Sequence, residues 1–267
     1  MEHESLGFDP NTPSVARLYD YYLGGKDNFP ADREAAERIL KVAPELRAAA
    51  RANRAFLGRA VRHLAEAGIT QFLDIGTGLP TQGNVHEVAK KVVPDAKVVY
   101  VDRDPVVLVH ARALLAGQGD TTVIEGDLRE PAAILDHPEV RATIDFSKPV
   151  GLLLVAIMHF IKEEERPDEI MATLREALAP GSYLVMSHGT SDARAEAVSQ
   201  GTQVYQSASA PLVLRDRERI RELFTGFTLV DPGLVWLPEW RPEQADVIDF
   251  MDNPASSLIL CGVGRKD

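Results

Sequence analysis

The segment FLDIGTGLPTQGN, residues 72–84, decides how this chain folds. It begins as a short apolar run and continues into a turn with three glycines, Gly76, Gly78 and Gly83. Glycine tolerates left-handed backbone conformations and lets the main chain approach a ligand closely. A glycine-rich turn after the first buried strand is typical of open α/β sheets, which bind ligands at the carboxyl ends of their strands.

The chain after residue 68 repeats this alternation of short apolar runs and helical segments, which predicts βαβ units on a parallel sheet. The predicted strands are QFLDI (71–75), KVVYVD (97–102), TTVIEGD (121–127), VGLLLVAI (150–157) and SYLVMSH (182–188). A helix, RDRERIRELF (215–224), then precedes two further strands, FTLVD (227–231) and SLILCGVG (257–264). We therefore predict a doubly wound, Rossmann-like α/β domain over residues 69–267.

Two nucleotide-binding interpretations of the first turn fail at specific positions. Gly78 and Gly83 have the spacing of a phosphate-binding loop, but the lysine and the serine or threonine that must follow are replaced by Asn84 and Val85. A dinucleotide fingerprint would need its third glycine at position 81, which is threonine. Asp74 just before the turn is also a poor neighbour for a pyrophosphate.

A cationic ligand fits the acidic residues better. S-adenosylmethionine carries an ammonium and a sulfonium group, and both are favoured by an acid at Asp74. Asp102, at the end of the second strand, is placed to bind ribose hydroxyls, and Asp127, after the third strand, to bind the adenine amino group. Any one of these acids alone is better explained as a cap or turn residue, so the prediction rests on all three strand ends together.

DIGTG, VYVDRDP, EGDL and LAPGSYLVMSH resemble the motifs of class I S-adenosylmethionine-dependent methyltransferases. From Pro13 to Val263 the chain more closely resembles an actinobacterial group, first catalogued as a domain of unknown function and later named an S-adenosyl methyltransferase family. The resemblance implies a seven-stranded, mostly parallel sheet with an antiparallel last strand, and S-adenosyl-L-methionine as cofactor. It also implies cofactor-binding roles for Asp74, Gly76, Thr77, Gly78, Asp102, Arg103, Asp127, Leu128 and Ala156. The turn LPTQGN is longer than is usual in the class, so Thr81 or Asn84 can join this site.

Residues 1–68 are predicted to form a helical extension. A helix is expected from the N-cap pair Thr12-Pro13 to about Leu23, ending at Gly24 or Gly25, followed by helices over Pro30–Leu40 and Pro44–Ala67. One face of the third helix carries a stripe of arginines that we expect to face solvent: Arg47, Arg51, Arg54 and Arg62. Tyr19 and Tyr22 share one face of the first helix, because residues three apart are neighbours on a helix. We predict a lid in which the rings of both tyrosines wall the methyl-transfer chamber and their hydroxyls orient a nucleophile. Lys26 is expected to lie near the cofactor's carboxylate. The alternative is that the tyrosines only pack helices together.

His159, directly after the fourth strand, is the candidate general base, because an ordinary histidine titrates near neutral pH. A histidine bonded to the backbone at a strand end is the alternative. His188 is a weaker candidate, and no histidine has metal-ligand spacing. The segment Ala195–Leu214, including Tyr205, is expected to shape the acceptor pocket.

Charge limits the partners of the protein. The formal net charge of −11 opposes nucleic acid and anionic membranes, which favours a small-molecule acceptor. A single cysteine, Cys261, excludes an intrachain disulfide, and the sequence starts without a signal-peptide pattern, so we expect a cytoplasmic protein. A non-catalytic S-adenosylmethionine sensor or partner subunit is the alternative function, and an aminopropyl transferase a third. The oligomeric state is not predicted.

Overall fold

Three helices precede the sheet: α1 (Val15–Tyr22), α2 (Pro30–Val42) and α3 (Leu46–Glu66). The structure is a computed structural model, and it describes residues 8–80, 83–115, 120–193, 210–242 and 249–267. Gly24 and Gly68 take the left-handed conformation after α1 and α3, with φ of +82° and +92°, as predicted for helix stops.

The predicted start of the first helix, with Thr12 as N-cap, is wrong by two residues. Ser14 is the N-cap residue and is extended. Its backbone N–H donates to Asp32 Oδ1 at 2.9 Å, and the Thr12 hydroxyl donates to Asp9. Asp32 lies 18 positions further along the chain, and its hydrogen bond to Ser14 holds the segment before α1 outside the helix.

The central sheet has the strand order β3-β2-β1-β4-β5-β8-β6, and β7 also pairs with β8. The strands are β1 (Gln71–Ile75), β2 (Lys97–Asp102), β3 (Thr121–Glu125), β4 (Gly151–Val155), β5 (Tyr183–Gly189), β6 (Thr228–Leu229), β7 (Val235–Trp236) and β8 (Ile259–Arg265). Strands β1 to β5 are mutually parallel, and β8 runs antiparallel to β5, β6 and β7. This confirms the mostly parallel sheet with an antiparallel last strand. Eight strands rather than seven are described, because β6 and β7 are short separate segments on β8.

Helices cover both faces of the sheet. The remaining helices are α4 (Val85–Lys90), α5 (Pro105–Leu115), α6 (Pro131–Asp136), α7 (Pro138–Thr143), α8 (Pro167–Ala177) and α9 (Arg217–Glu222). Neighbouring residues of β1 pack into hydrophobic clusters on opposite faces of the sheet. Phe72 packs in the cluster that contains Phe56 of α3, and Leu73 packs in the cluster that contains Leu174 of α8. Alternation along a strand sends successive side chains to opposite faces. Both faces are therefore buried, as the continuous apolar runs predicted.

The helices of the extension are joined to this body in two ways. α3 contributes directly to the core beside Phe72, where Phe56 meets Trp240 edge to face with ring centroids 5.4 Å apart. α1 and α2 form a smaller cluster on α3, in which Leu18 and Ile39 pack with Phe160 from beyond β4. Among the described residues, no helix combines the length and apolar character that crossing a bilayer requires.

Candidate active site

A cavity of about 510 Å³ lies at the carboxyl ends of the parallel strands and is roofed by the first helices. This is the edge at which open α/β sheets bind ligands, and the volume suits a small molecule. The structure brings twelve of the predicted site residues to its lining: Tyr19, Tyr22, Asp74, Gly76, Thr77, Gly78, Asp102, Arg103, Asp127, Leu128, Ala156 and His159. Asn84 lines a small adjoining pocket instead. Thr81, Tyr205 and most of the segment 195–214 lie outside the described residues.

The glycine turn after β1 leaves no room for a side chain at Gly76. This residue has φ of +78°, and a Cβ there would lie 2.6 Å from the side chain of Ile157. Its backbone N–H donates to Val101 O at 2.8 Å, which ties the turn to β2. Gly78 is also left-handed, with φ of +67°. The turn therefore presents bare backbone to the cavity.

Asp74 is a buried acid on the cavity wall. Thr77 Oγ1 donates to its carboxylate at 2.8 Å. Burial raises the pKa of Asp74 from 3.8 to about 6, partly opposed by the Thr77 hydrogen bond and by the charge of Arg54. Desolvation penalises a lone carboxylate, and a nearby positive charge relieves that penalty. Asp74 is thus poised to favour a cationic group in the cavity.

Asp102 closes the turn from the neighbouring strand. Its two carboxylate oxygens accept from Gly78 N and Asp104 N, both at 2.9 Å. Burial raises its pKa, and these backbone donors oppose the rise. Each carboxylate oxygen has two lone pairs, so accepting one N–H leaves capacity for a ligand hydroxyl.

Asp127 lies between two arginines. Arg103 Nη1 is 3.2 Å and Arg129 Nη1 3.0 Å from its carboxylate oxygens. Burial raises the pKa of Asp127, but the backbone N–H of Arg129 and both guanidinium charges outweigh it, so the net pKa is lowered. Arg129 also reaches Phe160 O at 3.1 Å. The carboxylate therefore stays ionised and holds Arg103 at the end of β2.

His159 is not built to act as a base near neutral pH. Its Nδ1 accepts from Gly189 N at 3.1 Å, so a neutral ring carries its proton on Nε2. Burial, together with the charge of Arg215, lowers its pKa to about 3. The general-base role predicted for His159 is at odds with this geometry, because the accepting nitrogen is already bonded to the backbone. Its Nε2–H remains a donor.

The surroundings of the two tyrosines differ from those expected if their hydroxyls orient a nucleophile. Tyr19 OH donates to Ala50 O at 3.1 Å and accepts from Asn53 Nδ2 at 2.9 Å, so α3 holds this hydroxyl. Burial raises the pKa of Tyr19. Tyr22 packs with Leu18 and Ile39 in the cluster of α1 and α2. Both rings wall the cavity, as predicted.

Lys26 is exposed and does not line the cavity. The preceding residue, Gly25, explains why: a Cβ at Gly25 would lie 1.9 Å from Asp20 Oδ1. Asp20 Oδ2 also accepts from Asn28 Nδ2 at 2.7 Å and Asp27 N at 3.1 Å. Residues 25–28 therefore wrap around the carboxylate of Asp20, and Lys26 faces outward.

Two arginines at or beside the site were not predicted from the sequence. Arg54 was part of an arginine stripe expected to face solvent, yet it lines the cavity and its charge acts on Asp74. Arg215 is buried and donates to Met158 O at 3.2 Å and Ile161 O at 2.8 Å, fixing the segment beyond β4. Arg54 has helical spacing with three exposed or half-exposed arginines, and Arg215 lies in a charged run, so neither stood out in the sequence.

These features fit S-adenosyl-L-methionine: bare backbone at Gly78, where nothing lies within 4 Å of a Cβ, a buried acid at Asp74 for its cationic part, and spare acceptor capacity at Asp102. A glycine turn, two acids at adjacent strand ends and an antiparallel last strand together define a class I S-adenosylmethionine-dependent methyltransferase.

Comparison with known proteins narrows this class. The chain belongs to the S-adenosyl methyltransferase family, which it matches over residues 1–267. S-adenosyl-L-methionine is its cofactor, and the protein is a methyltransferase.

Solved structures agree with this assignment. A candidate methyltransferase from Thermobifida fusca shares 45% identity over 96% of each chain, with a TM-score of 0.90. A DUF574 family protein from Streptomyces avermitilis shares 43% identity over 97% of this chain and 99% of that one, with a TM-score of 0.91. An O-methyltransferase family protein from Burkholderia thailandensis, 15% identical over 85% of this chain and 62% of that one, has a TM-score of 0.53 and shares the fold. No curated protein is similar enough to count as a match.

Proposed function

We propose that this methyltransferase acts on a small, largely apolar molecule. The observation that carries the proposal is the composition of the cavity beyond β4 and β5. Tyr22, Ile39, Leu46, Phe160 and Leu212 line it there, and these residues come from the first helices as well as from the strand ends. Apolar side chains with a few polar groups are typical of small-molecule sites.

We assign the cofactor-binding roles by position around the glycine turn. Asp74 faces the cationic part of S-adenosyl-L-methionine, Asp102 the ribose hydroxyls, and Asp127 with Leu128 the adenine edge. In place of Lys26 we assign Arg54 to the carboxylate, because Arg54 lines the cavity on the side of Asp74. A contact to that carboxylate would also disfavour the aminopropyl transferase alternative, whose cofactor lacks it.

The bound cofactor supplies a methyl group on a positively charged sulfur, which is already a good leaving group. The protein's contribution is then mainly alignment and water exclusion. We propose that α1 and α2 act as the lid that provides both, over the extension predicted for residues 1–68. Ser14 Oγ bonds to Asp104 beyond β2, which ties the start of this lid to the cofactor edge.

Net charge and cysteine use support two further parts of the proposal. A formal charge of −11 disfavours nucleic acid or an anionic membrane as partner. The single cysteine is buried and free, which suits a cytoplasmic location.

The first experiment is calorimetric titration of the protein with S-adenosyl-L-methionine, using wild type, Asp102→Ala, Arg54→Met and the surface control Asp95→Ala. We expect saturable binding, weakened at least about tenfold by loss of either Asp102 or Arg54, since a charge-assisted hydrogen bond contributes roughly 1.5–3 kcal/mol. Asp95 is exposed, and its variant should match wild type. Equal affinities for all four proteins would contradict the assignment of the site.

The acceptor class is tested with the labelled cofactor and two pools of acceptors. Label transfer to small apolar molecules, and not to bulk RNA or protein, is the expected result. Transfer only to a macromolecule would overturn the small-molecule proposal, while binding without any transfer would favour the sensor alternative.

A further inference from the structure

The strand end beneath the cavity contains a residue in an unusual backbone conformation. Ala156 follows β4, lines the cavity and has φ of +56°. For a residue with a Cβ this left-handed conformation is unfavourable, and such residues persist where the surrounding structure holds them. The question is which contacts hold Ala156.

A chain of hydrogen bonds runs from Ala156 to the first helix. Ala156 N donates to Ser187 Oγ at 2.9 Å and, over a longer distance of 3.2 Å, to Ser187 O. Ser187 Oγ in turn donates to Asn53 Oδ1 at 2.7 Å. Asn53 Nδ2 donates to Tyr19 OH at 2.9 Å, and Tyr19 OH donates to Ala50 O at 3.1 Å.

Every proton in this chain has a fixed direction. The backbone amide of Ala156 can only donate, so the Ser187 hydroxyl proton is left for Asn53 Oδ1, and the Asn53 amide must then point its Nδ2 at Tyr19. Ser187 and Asn53 are buried, at 0% and 1% exposure. Buried polar groups that lose a partner are costly, so breaking one link disturbs the next.

We propose that Ser187 and Asn53 are positioning residues for methyl transfer: they hold Ala156 in its left-handed conformation against the cofactor and couple that conformation to docking of α1. The inference rests on the proposed function, because it needs the cofactor to contact Ala156. It adds that the lid and the cavity floor are one hydrogen-bonded unit. Loss of the Ser187 hydroxyl leaves the Ala156 amide with only the longer bond to Ser187 O, so Ala156 relaxes and cofactor affinity falls.

The test is a double-mutant cycle between Ser187→Ala and Ala156→Gly. Glycine adopts a left-handed conformation without support. Ser187→Ala should therefore weaken binding of S-adenosyl-L-methionine about tenfold with Ala156 in place, but less than threefold in the Ala156→Gly background. Hydrogen exchange of the ligand-free protein gives a second readout: the peptide containing residue 156 should exchange faster in Ser187→Ala.

The chain offers a matched control at the opposite end of the same two strands. Ser182 is also fully buried, and its hydroxyl oxygen accepts from Val150 N at 3.0 Å. Ser182→Ala removes the same kind of hydrogen bond far from the cavity, so it should lower the melting temperature and leave cofactor affinity unchanged.

The possible outcomes separate the inference from the proposed function. If wild type does not bind the cofactor, the proposed function fails. If wild type binds and Ser187→Ala binds equally well, or loses the same affinity in both backgrounds, the positioning role is refuted. If Ser187→Ala does not fold, Tyr19→Phe breaks the chain at its other end, and the same cycle with Ala156→Gly decides.

Discussion

Replacing Asp74 by asparagine should stabilise the protein and impair its function. The asparagine keeps the shape of the side chain and an oxygen to accept from Thr77 Oγ1, which donates to Asp74 at 2.8 Å. It removes the buried charge and replaces the second carboxylate oxygen by an NH2 group of similar size. We propose that this negative charge binds the cationic part of the cofactor, and burial of the same charge destabilises the folded protein.

The magnitude follows from the pKa of Asp74, which burial raises from 3.8 to about 6. The folded protein therefore binds the proton more tightly than the unfolded chain, and stability is lost as the pH rises from about 4 to about 6. Each pKa unit corresponds to about 1.4 kcal/mol, so the ionised form costs the folded state about 3 kcal/mol at pH 7. Asp74→Asn avoids this cost.

Urea unfolding of wild type and Asp74→Asn between pH 4.5 and pH 8 measures the effect. The stability advantage of the variant should grow with pH and level off above about pH 6.5, while its affinity for S-adenosyl-L-methionine falls at least about tenfold. Asp95→Asn removes a carboxylate at an exposed position and should show neither change. An advantage that is absent at pH 8, or that does not depend on pH, would refute the account of Asp74.

Three further predictions concern the extension and the histidine. Gly25→Ala places a Cβ 1.9 Å from Asp20 Oδ1 and should lower the free energy of unfolding in urea by about 1–3 kcal/mol. Gly24→Ala, at a φ of +82° with nothing within 4 Å, should lower it by about 1 kcal/mol. The reverse order would contradict the packing of Gly25 against Asp20. The ring of His159 should stay neutral by NMR from pH 8 to pH 5, because its pKa is lowered to about 3, and protonation near pH 6.5 would restore it as a candidate base. Adding S-adenosyl-L-methionine should slow hydrogen exchange in α1 and α2 but not in α8, and an unchanged rate in α1 would argue against the lid.

Much of the fold could be predicted from the sequence because the strands are buried on both faces. Continuous apolar runs such as VGLLLVAI mark central parallel strands, and glycines mark helix ends at Gly24 and Gly68. The start of α1 was missed because a hydrogen bond from Ser14 to Asp32 is not a local signal. Likewise, β7 was not predicted, because it is two residues long and exists through pairing with β8, whereas β6 lies within the predicted strand FTLVD but covers only two of its residues.

The residues of the candidate site also include some that could be predicted from the sequence and some that could not. Residues in the strand-end turns, such as Asp74 and Asp102, were placed correctly at the cavity because the sheet topology brings successive strand ends together. Side chains of the N-terminal extension were predicted less well, although Tyr19 and Tyr22 do line the cavity. Lys26 was expected inside and is exposed, while Arg54 was expected outside and lines the cavity. Which way a helical side chain faces depends on how the helix docks, and helical spacing does not encode that.

The position of β8 has a consequence for biosynthesis. β8 pairs with β5, β6 and β7, although it follows all of them along the chain. A chain leaves the ribosome N-terminus first, at about 5–20 residues per second. During translation, β5 therefore waits with an unpaired edge until residues 259–265 have emerged. Exposed strand edges recruit other chains, so premature termination or ribosome stalling before residue 259 should produce aggregation-prone nascent chains. A chaperone that shields the edge of β5 would matter most in that interval.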